Sequence, residues 1–259
     1  MKRPSPSPLS QAPARALVAL CLASALVSGC ATSKVVNLSH YDPQTPDFVQ
    51  MRNEGIIGVI HEATYPPGAT DPKYGSRQDA AFRAGMLWGA YHFGNGSDPI
   101  RQADQFVNFV ASQASHGDGR GILMILDFEQ NTHYPGGNMT ADQAAAFIKR
   151  IHERTGQYPG FYSNENRLRS LGKELADNRE AGATIKSCWL WVANYHHKPH
   201  SIRPWGGWRL WQYTGDGVCD LPASEYPTSA GNVRKAERNI FRGSDEDLAS
   251  FWQQHAYRP

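Results

Sequence analysis

Residues 121–129 read Gly121-Ile122-Leu123-Met124-Ile125-Leu126-Asp127-Phe128-Glu129. Five apolar residues run unbroken from Ile122 to Leu126, the pattern of a strand buried on both faces in a parallel sheet. The run ends in two carboxylates with one aromatic between them. In a strand, residues i and i+2 point the same way, ~6.6 Å apart along the backbone. Asp127 and Glu129 therefore share a face at the end of a buried strand. Two carboxyls held together drive their proton affinities apart, so one can remain protonated as an acid. Such a pair is what acid-assisted glycoside cleavage requires. A surface turn carrying two solvated acids fits the same nine residues, and this stretch alone does not choose.

Working outward, strands are expected at 35–38, 56–61, 86–93, 158–162, 188–195 and 208–213, with a weaker one at 239–241. Helices are expected at 46–55, 73–84, 98–114, 140–154, 167–176 and 245–255. Ala103, Phe106, Val107 and Val110 recur at three- and four-residue steps, and Thr140 is a natural cap. Strands and helices alternate at least five times, which predicts a mostly parallel sheet. No glycine-rich phosphate loop follows the first strand, which weakens a dinucleotide fold. Polar groups collect where strands end: Asn37, Glu62, His92, Asp127, Glu129, Tyr162, Asn194 and Gln212. In an α/β barrel that rim is where function sits. There is no domain linker and no internal repeat.

The chain has 259 residues, with 19% charged, 11% aromatic and seven Trp. Lys2, Arg3 and Arg15 precede a largely apolar run of twelve, from Ala16 to Val27, too short for an ordinary membrane span. Val27-Ser28-Gly29-Cys30 then resembles a bacterial lipobox, with Cys30 as the lipid site; a plain secretory signal is the alternative. Residues 1–29 read as a signal peptide, 30–34 as a lipidated tether and 35–259 as one domain. Of 26 basic and 24 acidic residues, three basic ones leave with the acid-free leader, so 23 face 24. No basic patch argues for nucleic acid. Of the four Cys, Cys188 and Cys219 remain in a compartment that permits disulfides. They are expected to pair, with two buried thiols as the alternative.

Five motifs in order resemble glycoside hydrolase family 25, the Chalaropsis-type lysozymes that cut N-acetylmuramyl linkages. They are Asn37-Leu38-Ser39-His40-Tyr41, Gly89-Ala90-Tyr91-His92-Phe93, Leu126-Asp127-Phe128-Glu129, Leu190-Trp191-Val192-Ala193-Asn194-Tyr195 and Trp211-Gln212-Tyr213-Thr214. The likeness spans residues 35–243. It implies an irregular TIM-like (β/α) barrel, about five β/α units followed by three strands. It also implies a peptidoglycan hydrolase that is monomeric, needs no cofactor and acts at the cell envelope. With Ala31 after Cys30, the lipobox resemblance favours anchoring at the outer membrane, facing the periplasm.

Three departures stand out. Asn37 occupies the family's first-strand Asp position, Glu237 aligns with its late Asp, and His61-Glu62-Ala63-Thr64 replaces the more usual Lys-Ala-Thr-Glu. Glu129 is expected as general acid, with Asp127 raising its proton affinity and orienting the substrate's N-acetyl group. Asn37, Glu62, Tyr91, His92, Tyr162, Trp191, Tyr195, Gln212 and Glu237 are expected to bind substrate, the aromatics by stacking on sugar rings. No metal is expected, since His61, His92 and the His196-His197 and His200 group show no ligand spacing. Ser163 lacks a nucleophile elbow. The lost charge at Asn37 leaves an alternative: a catalytically weakened, lipid-anchored protein that binds glycan or peptidoglycan.

Overall fold

The computed structural model describes residue 1 and residues 31–113 and 120–259. The leader and the proposed lipid site Cys30 lie outside the described residues. The strands are β1 (Ala31–Leu38), β2 (Gly58–Tyr65), β3 (Ala69–Thr70), β4 (Leu87–Phe93), β5 (Ile122–Asp127), β6 (Gly160–Asn164), β7 (Trp189–Ala193), β8 (Leu210–Gln212) and β9 (Glu237–Arg242). The helices are α1 (Phe48–Asn53), α2 (Tyr74–Arg83), α3 (Pro99–Gln113), α4 (Ala141–Thr155), α5 (Glu165–Glu174), α6 (Arg179–Lys186) and α7 (Asp245–His255).

Eight of the strands close a barrel in the order β1-β2-β4-β5-β6-β7-β8-β9, and β9 returns to β1. Pairing is parallel from β1 round to β8. The strand β9 is antiparallel to both β8 and β1. Helices follow the first five barrel strands, while β7, β8 and β9 succeed one another without helices. This is the irregular α/β barrel expected. No helix among the described residues is long and apolar enough to cross a membrane.

Two details differ from the sequence reading. The first strand starts at Ala31, and residues 31–34, expected as a tether, pair in β1 with β9 at Ala31–Arg242 and Thr32–Phe241. Helix α6 was not anticipated; Asn178 caps it by accepting a bond from Ala181 N.

Two apolar layers hold the fold. Outside the barrel, Leu126, Phe128, Phe147 and Ile148 pack between sheet and helices. Inside it, Val35, Ile60, Leu123, Ile125 and Trp252 form a second cluster. Helix α7 starts with a capping box, Ser244 with Asp247, and supplies Trp252 and Phe251 to the interior. The Trp252 indole donates to Trp88 O at 2.9 Å. A Cβ at Gly58 would meet that ring at 3.1 Å, and one at Gly89 would meet it at 3.5 Å. The two glycines therefore make room for the plug that seals the N-terminal end, leaving the C-terminal end open.

Candidate active site

The stretch after β5 is held extended by its neighbour. Phe128 N donates to Tyr162 O at 2.9 Å, and the Ser163 hydroxyl donates to Phe128 O at 2.6 Å. Phe128 is thereby turned into the outer core, under the Arg167 guanidinium at 4.4 Å. Alternation then sends Asp127 and Glu129 the other way, into a cleft of about 630 Å³ at the C-terminal end of the barrel. The surface-turn reading is excluded: Asp127 is buried and Glu129 half-buried.

The N-cap of α5 places Glu129. Asn164 Oδ1 accepts from Arg167 N at 2.9 Å, so its amide nitrogen faces Glu129 and donates to Oε1 at 3.1 Å. Asp127 is held otherwise. Its Oδ1 is buried with no hydrogen-bond donor in reach. Burial, then repulsion from Glu129, Glu62 and Glu237, holds the Asp127 carboxyl well above the usual range. Burial also raises Glu129, opposed by the Asn164 bond and helped by Asp216. Both carboxyls of the pair are therefore held above the usual carboxylate range.

Across the cleft, β1 and β9 carry two of the three departures from the family pattern as direct cross-strand partners, Asn37 opposite Glu237. Trp191 Nε1 donates to Asn239 Oδ1 at 2.7 Å, and Asn239 Nδ2 donates to Asn37 Oδ1 at 2.9 Å. This relay fixes the amide of Asn37, whose nitrogen must face outward and donates to Glu237 Oε2. Burial, then Asp42 and Asp216, pushes the Glu237 carboxyl up to about 8, with the Asn37 bond opposing. Glu62 reaches about 8 as well, through burial, Asp71 and Asp42.

Of the residues expected at the site, Asn37, Glu62, Tyr91, Asp127, Glu129, Tyr162, Trp191, Tyr195 and Glu237 all line this one cleft. Tyr162 and Trp191 pack at its floor, ring centroids 4.4 Å apart. Two residues are elsewhere. His92 alternates with Tyr91 and so faces the helix layer. There it accepts from Thr64 Oγ1 at 2.7 Å and donates to Gln102 Oε1 at 3.0 Å, stacked on Phe147. Burial pushes that imidazole down to about 4, so it is a neutral structural group. Gln212 is buried beneath the cleft against the tight turn at Gly215, which separates it from the opening.

The expected disulfide is absent: Cys188 and Cys219 are free thiols. Cys188 precedes β7, whereas Asp220 N donates to Tyr195 O beyond the far end of that strand. Seven residues of near-extended chain separate those points by roughly 20 Å, and a bridge needs Cα atoms within about 7 Å.

Sequence reading missed Asp42, Tyr134, Asp216 and Lys235 in the lining. Asp216 and Gly217 form a left-handed turn, φ 52° and 74°, one residue after Trp211-Gln212-Tyr213-Thr214. An Asp-Gly pair following a rim strand was the available signal. Tyr134 stands on the loop after Glu129, its hydroxyl 3.1 Å from that of Tyr41. Six carboxyls thus face one lysine, Lys235, in the lining. Among the described residues, two groups of side chains have metal-ligand character: His40 with Glu62 and Asp71, and Glu165 with His197 and His200.

Comparison with known proteins accords with this geometry. The sequence model of Glycosyl hydrolases family 25 matches residues 36–220. The chain is 24% identical over 219 residues to Lysozyme M1 of Streptomyces globisporus, covering 81% of this chain and 67% of that protein. Its fold is similar to the bacterial lysozyme of Streptomyces coelicolor, with TM-score 0.66, 23% identity, and coverage of 89% of this chain and 100% of that one. A muramidase from Acremonium alcalophilum gives TM-score 0.62 and 22% identity, covering 85% and 98%. The chain belongs to glycosyl hydrolases family 25 and is a glycoside hydrolase of the lysozyme type.

Proposed function

We propose that this chain is a peptidoglycan hydrolase, a muramidase that cleaves the β-1,4 bond from N-acetylmuramic acid to N-acetylglucosamine. The observation that carries the reading is Asp127 Oδ1, buried and unpartnered beside Glu129 in one cleft. An acetamide N–H of the bound sugar would supply the missing donor. That bond stabilises ionised Asp127 and shifts the pair's proton to Glu129. Glu129 then protonates the departing glycosidic oxygen while the acetamide oxygen attacks C1, giving a cyclic oxazolinium ion. A water, deprotonated by Glu129, opens that ring and restores the acid. Glu62, Tyr91, Tyr162, Trp191, Tyr195 and Glu237, with Asn37 braced by its amide relay, form the surrounding sugar-binding surface.

Acylated at Cys30, the protein would act as a monomer on peptidoglycan from the outer membrane, facing the periplasm. No nucleic acid or cofactor enters this reading. The amide at Asn37 favours a second reading, a glycan-binding protein with weakened catalysis. Digestion of purified peptidoglycan, with mass analysis of borohydride-reduced products, separates the two. A muramidase releases muropeptides with reducing N-acetylmuramic ends. Reducing N-acetylglucosamine ends or cut peptide stems would refute the assigned bond, anhydro ends would refute its hydrolysis by water, and intact sacculi that retain bound protein would establish the binding role.

A further inference from the structure

We propose that His40, Glu62 and Asp71 form a divalent-cation site on the wall of the cleft, with Zn²⁺ the ion best suited to its donors. This goes beyond the hydrolase reading and does not depend on it. The three residues come from separate segments, on the loop after β1, in β2, and ahead of α2. Their donor atoms nevertheless fall within 4.8 Å of one another.

The second, independent observation is Asp71 Oδ2. Its side chain is 0% exposed, and this oxygen has no hydrogen-bond partner. The other oxygen accepts from Lys73 N at 2.7 Å, which stops the carboxylate from turning away. A buried carboxylate oxygen left without a donor is expensive and calls for a partner. Two imidazole nitrogens approach it without bonding, His40 Nδ1 and His61 Nδ1, each at 3.7 Å. His61 Nδ1 is already committed, donating to Glu62 O at 2.7 Å, and its Nε2 accepts from Arg77 at 3.0 Å.

Neither acid has an ion pair with the nearby Lys73 or Arg77, whose donors go to backbone carbonyls and to His61. Lys73 Nζ donates to the carbonyls of His40 and Asp42, both at 2.7 Å. Arg77 donates to those of Ser39, Asp42 and Gln44. Both side chains are spent on fixing the loop that carries His40. The imidazole is further pinned by Tyr41 and Tyr65, at ring distances of 4.0 and 4.7 Å.

One imidazole and two carboxylates suit Zn²⁺, whose bonds to such ligands are about 2.0–2.2 Å and place tetrahedral donors roughly 3.3 Å apart. The His40 to Asp71 separation of 3.7 Å is close to that. His40 Nδ1 and Glu62 Oε2 are 2.5 Å apart, sharing a proton. The ion replaces that proton, which leaves to solvent, and the two atoms part by under ~1 Å. Three protein donors leave a fourth position for water. Glu62 lines the cleft, so the ion would sit on the cleft wall.

The test is zinc content of the full chain, purified without a histidine tag and dialysed against micromolar Zn²⁺, read by mass spectrometry of the metal and by thermal unfolding. We expect about one ion per chain and a raised Tm. Glu62→Gln and His40→Ala should each lose the ion and the shift. A His197→Ala, His200→Ala double variant should keep both. Unfolding in chelator shows that each variant folds; should Glu62→Gln fail to, the partly exposed His40→Ala decides alone. Wild type retaining no zinc, or zinc lost only from the His197 and His200 variant, would overturn the site.

Discussion

At the N-terminal end of the barrel, Trp252 of α7 sits between Gly58 and Gly89 with its one polar atom bonded to Trp88 O. At the C-terminal end, six carboxyls crowd a cleft in which Asp127 Oδ1 is buried without a partner. One end is apolar packing around a satisfied Trp252 indole, and it holds the fold. The other keeps groups in states they would not choose in water, and its protonated acids are the chemical resource. Damage at the two ends should therefore separate cleanly into stability and rate.

The largest effect expected from the plugged end is Trp252→Ala, which should cost about 3–5 kcal/mol by leaving a cavity. Chemical denaturation measures it, and turnover per folded molecule should stay near wild type. A large loss of rate without loss of stability would mean that the two ends are not separate. In the cleft, Asn37→Asp turns a carboxylate toward Glu237, because the Asn239 bond holds the other oxygen. Turnover at neutral pH should fall about tenfold, the effect of roughly one unit of proton affinity, with recovery in acid. A rise on ordinary peptidoglycan would show that the missing charge had been limiting.

The pH profile sharpens the same contrast. Burial raises the Glu237 carboxyl to about 8, so its neutral form is present below that pH and is lost above it. Ionisation adds a charge near Asp127, and kcat/KM should fall by up to about tenfold per pH unit beyond 8. In Glu237→Gln the fall should be shallower, with Glu62 remaining. An unchanged alkaline limb would remove Glu237 from the account. The smallest effect is Asn164→Ala, which should cost about 1 kcal/mol as a lost helix cap. It should also raise the Glu129 carboxyl by deleting its donor, and because the acid must hold its proton, the alkaline limb of the profile should extend to higher pH. A loss of stability with an unmoved limb would leave Asn164 a cap alone.

Sequence showed the barrel because its signals are local: the apolar run before Asp127, the Thr140 cap and the rim motifs each lie within a few residues. It also brought nine of the expected site residues into one cleft. His92 was misplaced although alternation was available to correct it. His92 pairs in register with Leu126, an outer-core residue, whereas Tyr91 pairs with Ile125 of the interior. Gln212 faces inward as expected, but the turn at Gly215 covers it, and a turn's path cannot be read from a three-residue strand. The Cys188 and Cys219 pairing failed on strand direction, since neighbouring strands say nothing about which ends meet. Asp71 was invisible for a different reason: its meeting with His40 depends on Lys73 and Arg77 fixing the loop after β1, through bonds that span 33 and 38 residues.

The claim at the centre of this account is that Glu129 moves the proton. Turnover of wild type and Glu129→Gln on purified peptidoglycan, measured side by side with their thermal unfolding, tests it most directly. The change removes the acid and little volume, so Tm should hold or rise while turnover falls roughly 10²–10⁴-fold. More than a tenth of wild-type turnover in a folded Glu129→Gln protein would contradict the assignment.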